Sequence, residues 1–293
     1  MVTRPPIGAS PMRRLVGFAV VSLTLGVSLP VARGHGSFHE LITAAQKSVD
    51  ADPRNPDLYV RRGELYRAHG DLEAAVADYD RAVQVAPGFD VELLKARAYL
   101  EGGRVLLARG HAERAVSRYP QSAEARIIRG RILGAVGQKA AAAADFGAAF
   151  ERTDSPSPEL VLEVSRAQRK VGRPEQALAT LEAGMKKLGR IVTLQLDAIE
   201  LEVEQKRWDA ALSRVDELSA RSPRKETWLQ RKGEILTRAG RRDDARQAFR
   251  DALAAIEALP AHLKGTPATG DLAAQLRASL GKVDRQAPRR ARR

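Results

Sequence analysis

The chain has 293 residues, 44% hydrophobic and only 4% aromatic, with 29% charged side chains and no cysteine. Scarce aromatics beside abundant Ala, Leu, Arg and Glu favour helix over a large sheet core, and the missing cysteines exclude disulfides, thiolate metal sites and a cysteine nucleophile. A formal charge of +13 would ordinarily point to nucleic acid or an anionic surface, but residues 1–34 carry +4 of it and residues 282–293 carry +5. The middle is close to balanced, and no nucleic-acid partner is expected.

Arg13 and Arg14 precede an apolar run from Leu15 to Ala32, with small residues at Ala32, Gly34 and Gly36. This is the three-part layout of a secretory signal, so residues 1–34 are read as an export address and the rest of the chain is expected in the periplasm. Gly17, Gly26 and Pro30 weaken the run as a spanning helix, and its length is at the low end for crossing a bilayer. Cleavage after Gly34 leaves no membrane span; an uncleaved run would instead anchor the body to the inner membrane.

The segment HGSFHE, His35 to Glu40, places two of the chain's five histidines and a carboxylate within six residues. If His35 becomes the first residue, its amine and ring together with His39 offer donors suited to Cu(II) or Zn(II). Copper or zinc handling is thus an alternative reading, beside one in which the segment is a polar leader with Glu40 favourably placed in a first helical turn. No other cofactor is expected. Phe38 to Ala51 reads as one amphipathic helix with Leu41, Ile42, Ala45 and Val49 on a stripe, followed by Pro53, so residues 35–55 are expected to form an N-terminal cap. His69, His111 and His262 read as isolated turn or surface groups.

From Pro56 a pattern of two helix-sized apolar segments returns six times, starting near Pro56, Phe89, Ala123, Pro158, Val192 and Glu226. Such a period marks stacked helical pairs. The clearest unit is PDLYVRRGELYRAHGDLEAAVADYDRAVQVAP, from Pro56 to Pro87. Gly63 and Ala75 are the small residues where its helices would approach, Tyr59, Tyr66 and Tyr79 supply bulk, and Ala82 keeps the next unit close. Gly70 suits a left-handed helix end, Asp71 a cap and Pro87 a stop. The third and sixth units repeat this with Gly130, Gly137, Phe146 and Gly233, Gly240, Phe249; the fifth has Ile199 and Lys206 where glycines usually stand.

These residues resemble the tetratricopeptide repeat (TPR) family, over residues 56 to about 259. The resemblance implies an all-α, right-handed α-solenoid of about six helix-turn-helix repeats, with helical caps at both ends. Residues 260–282 read as the second cap, with Leu272, Leu276 and Leu280 at four-residue spacing after Pro260 and Pro267, and residues 283–293 as a disordered basic tail.

In this family the first helix of each repeat lines an inner groove. Position 9 of the six units is Glu64, Arg97, Arg131, Arg166, Glu200 and Glu234, joined by Arg169, Lys170 and Glu204 from positions 12 and 13. The resemblance therefore implies a groove running from basic to acidic. Its partner would be a protein or peptide, with acidic character matched to the arginines, which take carboxylates in bidentate geometry. Val60 and Glu64 depart from the lysine and asparagine clamp by which some members hold a terminal carboxylate. No phosphate-binding glycine loop, GxSxG elbow, HExxH or DxDxDG motif is present, and no enzymatic activity is expected.

Overall fold

The computed structural model describes residues 34–285, with side chains from residue 38 onward. Among the described residues every regular element is helical. A cap helix α1 (Gly34–Ala51) leads into six pairs: α2 (Pro56–His69) with α3 (Leu72–Val85), α4 (Glu92–Glu101) with α5 (Val105–Arg118), and α6 (Ala123–Ala135) with α7 (Lys139–Glu151). The series continues with α8 (Pro158–Lys170) and α9 (Pro174–Leu188), α10 (Val192–Glu204) and α11 (Trp208–Arg221), and α12 (Lys225–Arg238) and α13 (Arg242–Glu257). A short α14 (Ala261–Lys264) and the closing α15 (Pro267–Arg285) complete the chain. From α1 to α13 each helix packs on its neighbours in sequence, and α13 packs on α15. This is an α-solenoid.

Local chemistry fixes the helix ends. The side chains of Asn55, Asp71, Ser122 and Ser157 accept hydrogen bonds from the backbone N–H groups of Asp57, Ala74, Ala125 and Leu160. Each thereby satisfies an otherwise orphaned donor of the first turn. The turn inside each pair places one residue in the left-handed region: Gly70, Gly103, Gly137, Gly172 and Gly240 at φ of +94°, +70°, +81°, +73° and +76°, and Lys206 at +58°. The fifth pair therefore forms the same turn without the glycine, because packing on both sides holds a residue that bears the steric cost.

Packing within a pair depends on two places sixteen residues apart. A Cβ on Gly63, Gly130 or Gly233 would lie 2.7, 2.9 or 2.5 Å from a ring carbon of Tyr79, Phe146 or Phe249. No Cβ fits there. The other three pairs fill the same two places with Ala96 and Ala112, Ser165 and Leu181, and Ile199 and Val215, all essentially without solvent exposure. Where Leu181 leaves the fourth pair less filled than a ring would, Gly184 lets Val161 approach to 2.5 Å from the position a Cβ would take. Bulk is redistributed between the helices, and the pair still closes.

Three boundaries differ from expectation. The second pair begins at Glu92, not Phe89, because Gly88 at φ +94° and an Asp90 side chain accepting from the Glu92 N–H at 2.9 Å extend the preceding turn. The cap helix starts at Gly34, before Phe38. At the other end α15 runs from Pro267 to Arg285, and Val283 is buried against α13. The tail boundary at Val283 is thus corrected: Thr269, Ala273, Leu276 and Val283 form one buried stripe, and Asp284 accepts a hydrogen bond from Arg246 at 2.6 Å. Lys282 and Arg285 are the polar face of a helix.

At two junctions the first helices of successive pairs meet directly, α4 with α6 and α8 with α10, while second helices are linked mainly through the intervening first helix. The first helices therefore lie on the inner side of the curvature.

Two substitutions separate packing from propensity. Gly147→Ala, in open space on α7, is expected to raise stability by about 0.5–1 kcal/mol, whereas Gly130→Ala on α6 is expected to lower it by about 1–3 kcal/mol, both read by thermal unfolding. Lys206→Gly should relieve the left-handed turn and raise stability by up to about 1 kcal/mol.

Candidate functional site

The inner surface is built from residues that helical periodicity turns away from the paired helix. Eight of the nine residues assigned to the groove, all but Lys170, are engaged in ion pairs between or within repeats. Arg97 on α4 meets Glu64 of the first pair at 3.4 Å and Glu124 of the third. Arg131 meets Glu163 at 2.9 Å, Arg166 meets Asp197 at 3.0 Å, and Arg169 meets Glu204. On α10, Glu200 accepts from Arg231 at 2.7 Å, and Glu234 lies 3.6 Å from the same guanidinium. The row is a chain of charge pairs across repeat junctions, not an unpaired cationic strip. Lys170 stands outside it.

Sequence reasoning missed the partners Glu163, Asp197 and Arg231, which occupy position 6 of the unit following each position 9 residue. A signal was present: at three successive junctions the sign at position 6 opposes the sign at position 9 thirty-one or thirty-two residues earlier. Such half-exposed pairs contribute about 0.2–1 kcal/mol each, so they set register between repeats more than they hold the fold.

Between α6, α7 and α8 the groove deepens into a cavity of about 570 Å³. Phe146, Leu162, Ala167 and Ala142 give it an apolar floor, and its rim carries Arg131, Lys139, Arg166 and Lys170 against Glu159 and Glu163. Arg131 and Arg166 are held by carboxylates; among the described residues Lys139 and Lys170 have no ion-pair partner. An apolar seat with two uncommitted ammonium groups at its edge is able to receive a hydrophobic side chain flanked by carboxylates. A larger crevice of about 810 Å³ lies between α11, α12 and α13, lined by Asp209, Asp216, Asp244 and Asp251. There Lys232 and Arg241 already pair with Asp216 and Asp209, and it contains none of the row.

At the first junction Glu64 accepts from Arg67 at 3.0 Å and from the Tyr79 hydroxyl, with Arg97 beside it. Burial pushes its carboxyl up, but the hydrogen bonds from Arg67 and Tyr79 and the two guanidinium charges outweigh this and hold it below the ordinary carboxylate range. Burial and the bond to Glu64 raise the Tyr79 phenol, so it donates throughout the accessible pH range.

The histidines are less isolated than their spacing implied. His111 lies 2.7 Å from Glu92 through Nδ1 and stacks on Tyr99 with ring centroids 5.4 Å apart. His69 sits with Phe38 at 5.9 Å and His39 at 6.4 Å. The reading of both as solvated groups is corrected: their helices bring them against residues distant in sequence. Of the HGSFHE segment, His39 and Glu40 are exposed on α1 and the His35 side chain lies outside the described residues. Among the described residues no three histidine, aspartate or glutamate side chains cluster in a way that could hold a metal ion. The expected export signal also lies outside the described residues; among those described, no helix is long and apolar enough to cross a membrane.

With this geometry in place, comparison with known proteins is decisive for the class. A tetratricopeptide repeat model matches residues 30–88 and 93–158, and a tetratricopeptide repeat-like domain model matches residues 160–264. The chain belongs to the tetratricopeptide-repeat family. Fold and family together define a repeat scaffold of the protein- and peptide-binding kind. Among solved structures it is similar to the C-terminal part of a TPR repeat-containing protein from Cytophaga hutchinsonii, at 16% identity, a TM-score of 0.61, and coverage of 80% of this chain and 94% of that one. It is also similar to YrrB, a TPR protein with an unusual peptide-binding site, at 14% identity, a TM-score of 0.45, and coverage of 81% and 99%. PilF of Pseudomonas aeruginosa shows 16% identity, a TM-score of 0.49, and coverage of 75% and 97%. No match is found among curated proteins.

A carboxylate whose folded pKa is depressed contributes stability that is present above its unfolded value and lost as pH falls through the folded one. The stability difference between the parent and Glu64→Gln should therefore be clear at pH 7 and shrink below about pH 4, as followed by urea unfolding across that range.

Proposed function

We propose that this chain is an exported scaffold whose inner groove holds an acidic peptide or protein segment, seated at the cavity between the third and fourth pairs. The observation that carries the reading is the combination there of an apolar floor, Phe146 and Leu162, with two unpaired cations, Lys139 and Lys170. Arg131 and Arg166 contribute by fixing the rim, and they are able to share a guest carboxylate only by loosening Glu163 or Asp197. The lysines need no such exchange. They supply the long-range attraction, and the floor supplies the burial that gives affinity, roughly 25 cal/mol per Å² of apolar surface removed from water.

Arg97, Arg169, Glu200, Glu204 and Glu234 are then the flanks of the groove, where paired charges of alternating sign select against a guest of uniform charge. Export is supported by the Arg13–Arg14 pair ahead of the Leu15 to Ala32 apolar run. A scaffold role is supported by the tetratricopeptide repeat models that match residues 30–88, 93–158 and 160–264.

Panning a displayed peptide library against the full chain tests the groove. Acidic peptides carrying a leucine or aromatic residue should be enriched, and Lys139→Glu with Lys170→Glu should weaken a selected peptide at least tenfold while leaving helicity unchanged. Equal binding by that folded variant removes the assignment. Amino-terminal sequencing of the protein recovered from cells tests export, and a chain still beginning at Met1 would leave only the anchored form.

A further inference from the structure

The geometry points to a docking site for the chain's own basic segment, residues 286–293, in the crevice between α11, α12 and α13. This crevice of about 810 Å³ opens between two second helices, so it lies on the outer side of the solenoid, away from the peptide groove. Leu212 of α11, Leu229 and Leu236 of α12 and Ala248 of α13 give it an aliphatic floor. Its walls carry five carboxylates, Asp209, Asp216, Glu217, Asp244 and Asp251, against the two cations Lys232 and Arg241. An apolar floor under an acidic rim suits a cationic guest with aliphatic stems.

The existing ion pairs leave the rim acidic. Lys232 holds Asp216 at 2.8 Å, Arg241 is shared by Asp209 and Asp244 at 2.9 Å each, and Arg190 reaches Glu217 from outside the crevice. Five carboxylates against these three cations leave an excess of two negative charges. Asp209 keeps 92% of its side chain exposed while paired, which leaves room for a second guanidinium. Asp251 accepts from the Gln247 amide at 2.8 Å and has no cationic partner among the described residues.

Residues 286–293, QAPRRARR, carry four arginines, Arg289, Arg290, Arg292 and Arg293, and no acid. The end of α15 delivers them to the mouth of the crevice. This helix runs antiparallel to α13: Val283 is buried in the cluster that holds Phe249, and Asp284 accepts from Arg246 at 2.6 Å. The same Arg246 donates to Asp243 at 2.5 Å, and Asp243 immediately precedes Asp244 of the crevice wall. The chain therefore leaves α15 beside the first turn of α13. From there eight extended residues reach about 26 Å, whereas the wall from Asp244 to Asp251 rises only about 10 Å along its helix. Arginines take carboxylates in bidentate geometry, and tethering holds them at an effective concentration on the order of millimolar, so a weak site is still filled. The basic excess at this end of the chain is then neutralised within the chain. This inference is independent of the peptide groove, which lies between the third and fourth pairs on the inner side.

The test is pulsed electron paramagnetic resonance at low ionic strength on the full chain, with nitroxides at Ser213→Cys in the crevice and Ala291→Cys in the segment, its only two thiols. Docking predicts one short, narrow distance distribution. Replacing all four arginines by Gln leaves every described residue unchanged and should broaden that distribution at least twofold. Asp244→Lys with Asp251→Lys should do the same, with helicity checked, and so should high salt. A broad distribution in the parent, or a narrow one that survives loss of the arginines, would overturn the site. Dilution with unlabelled chain should leave the distance unchanged; its loss would put the segment in a neighbour's crevice and overturn the assignment equally. Should the aspartate variant lose helicity, the arginine variant decides alone.

Discussion

One steric constraint organises five of the six pairs: the volume of the residue at position 8 of a unit and that of the residue sixteen places later, on the second helix, must together fill one gap, whereas Ala96 and Ala112 leave the second pair with two small residues there. Gly63 with Tyr79, Gly130 with Phe146 and Gly233 with Phe249 meet it by giving all the volume to one side. Ser165 with Leu181 and Ile199 with Val215 meet it by sharing, and both arrangements are fully buried. Because protein interiors are packed at crystal-like density, this sum fixes how closely the two helices approach. The approach in turn fixes the angle at which the next pair is laid down. A solenoid follows from repeating one local solution.

Electrostatics acts at a second level. Pairs such as Arg131 with Glu163 and Arg166 with Asp197 span junctions between repeats, not the interior of a pair. Buried charges serve the pair itself: Asp145 accepts from Arg129 at 2.6 Å, and Asp78 from Arg62 at 2.8 Å, each again sixteen residues apart. The inner row is thus charged but largely self-neutralised. What distinguishes one stretch of the groove is the local break in that pattern, where Lys139 and Lys170 remain unmatched beside an apolar floor. The proposed recognition falls at that break, where no existing pair has to be dismantled.

Much of this was legible in the sequence because the packing residues recur at fixed spacing. Glycine-aromatic pairs, turn glycines and helix stops together give the register of all six units, including the fifth, where Lys206 adopts the turn conformation that glycine takes elsewhere. Helix ends were less legible. Gly88 and Asp90 build a turn that delays α4, and the charges at Lys282 and Arg285 concealed a buried stripe continuing to Val283. The groove was half legible: position 9 names the row, but whether a charge is free depends on position 6 of the following unit. The contacts of His69 with Phe38 and His39 were not legible at all, since they depend on how the cap helix packs against α2. Residues in register announce themselves; residues joined by packing between units do not.

The most direct test is a double-substitution experiment at Gly233 and Phe249, monitored by the fluorescence of Trp208 and Trp228, which pack against the same cluster. Gly233→Ala and Phe249→Leu change volume in opposite directions and by similar amounts. Volume sharing predicts that each alone destabilises in urea and that the double variant regains most of the loss, with a coupling energy of about 1 kcal/mol or more. Strictly additive losses would contradict it.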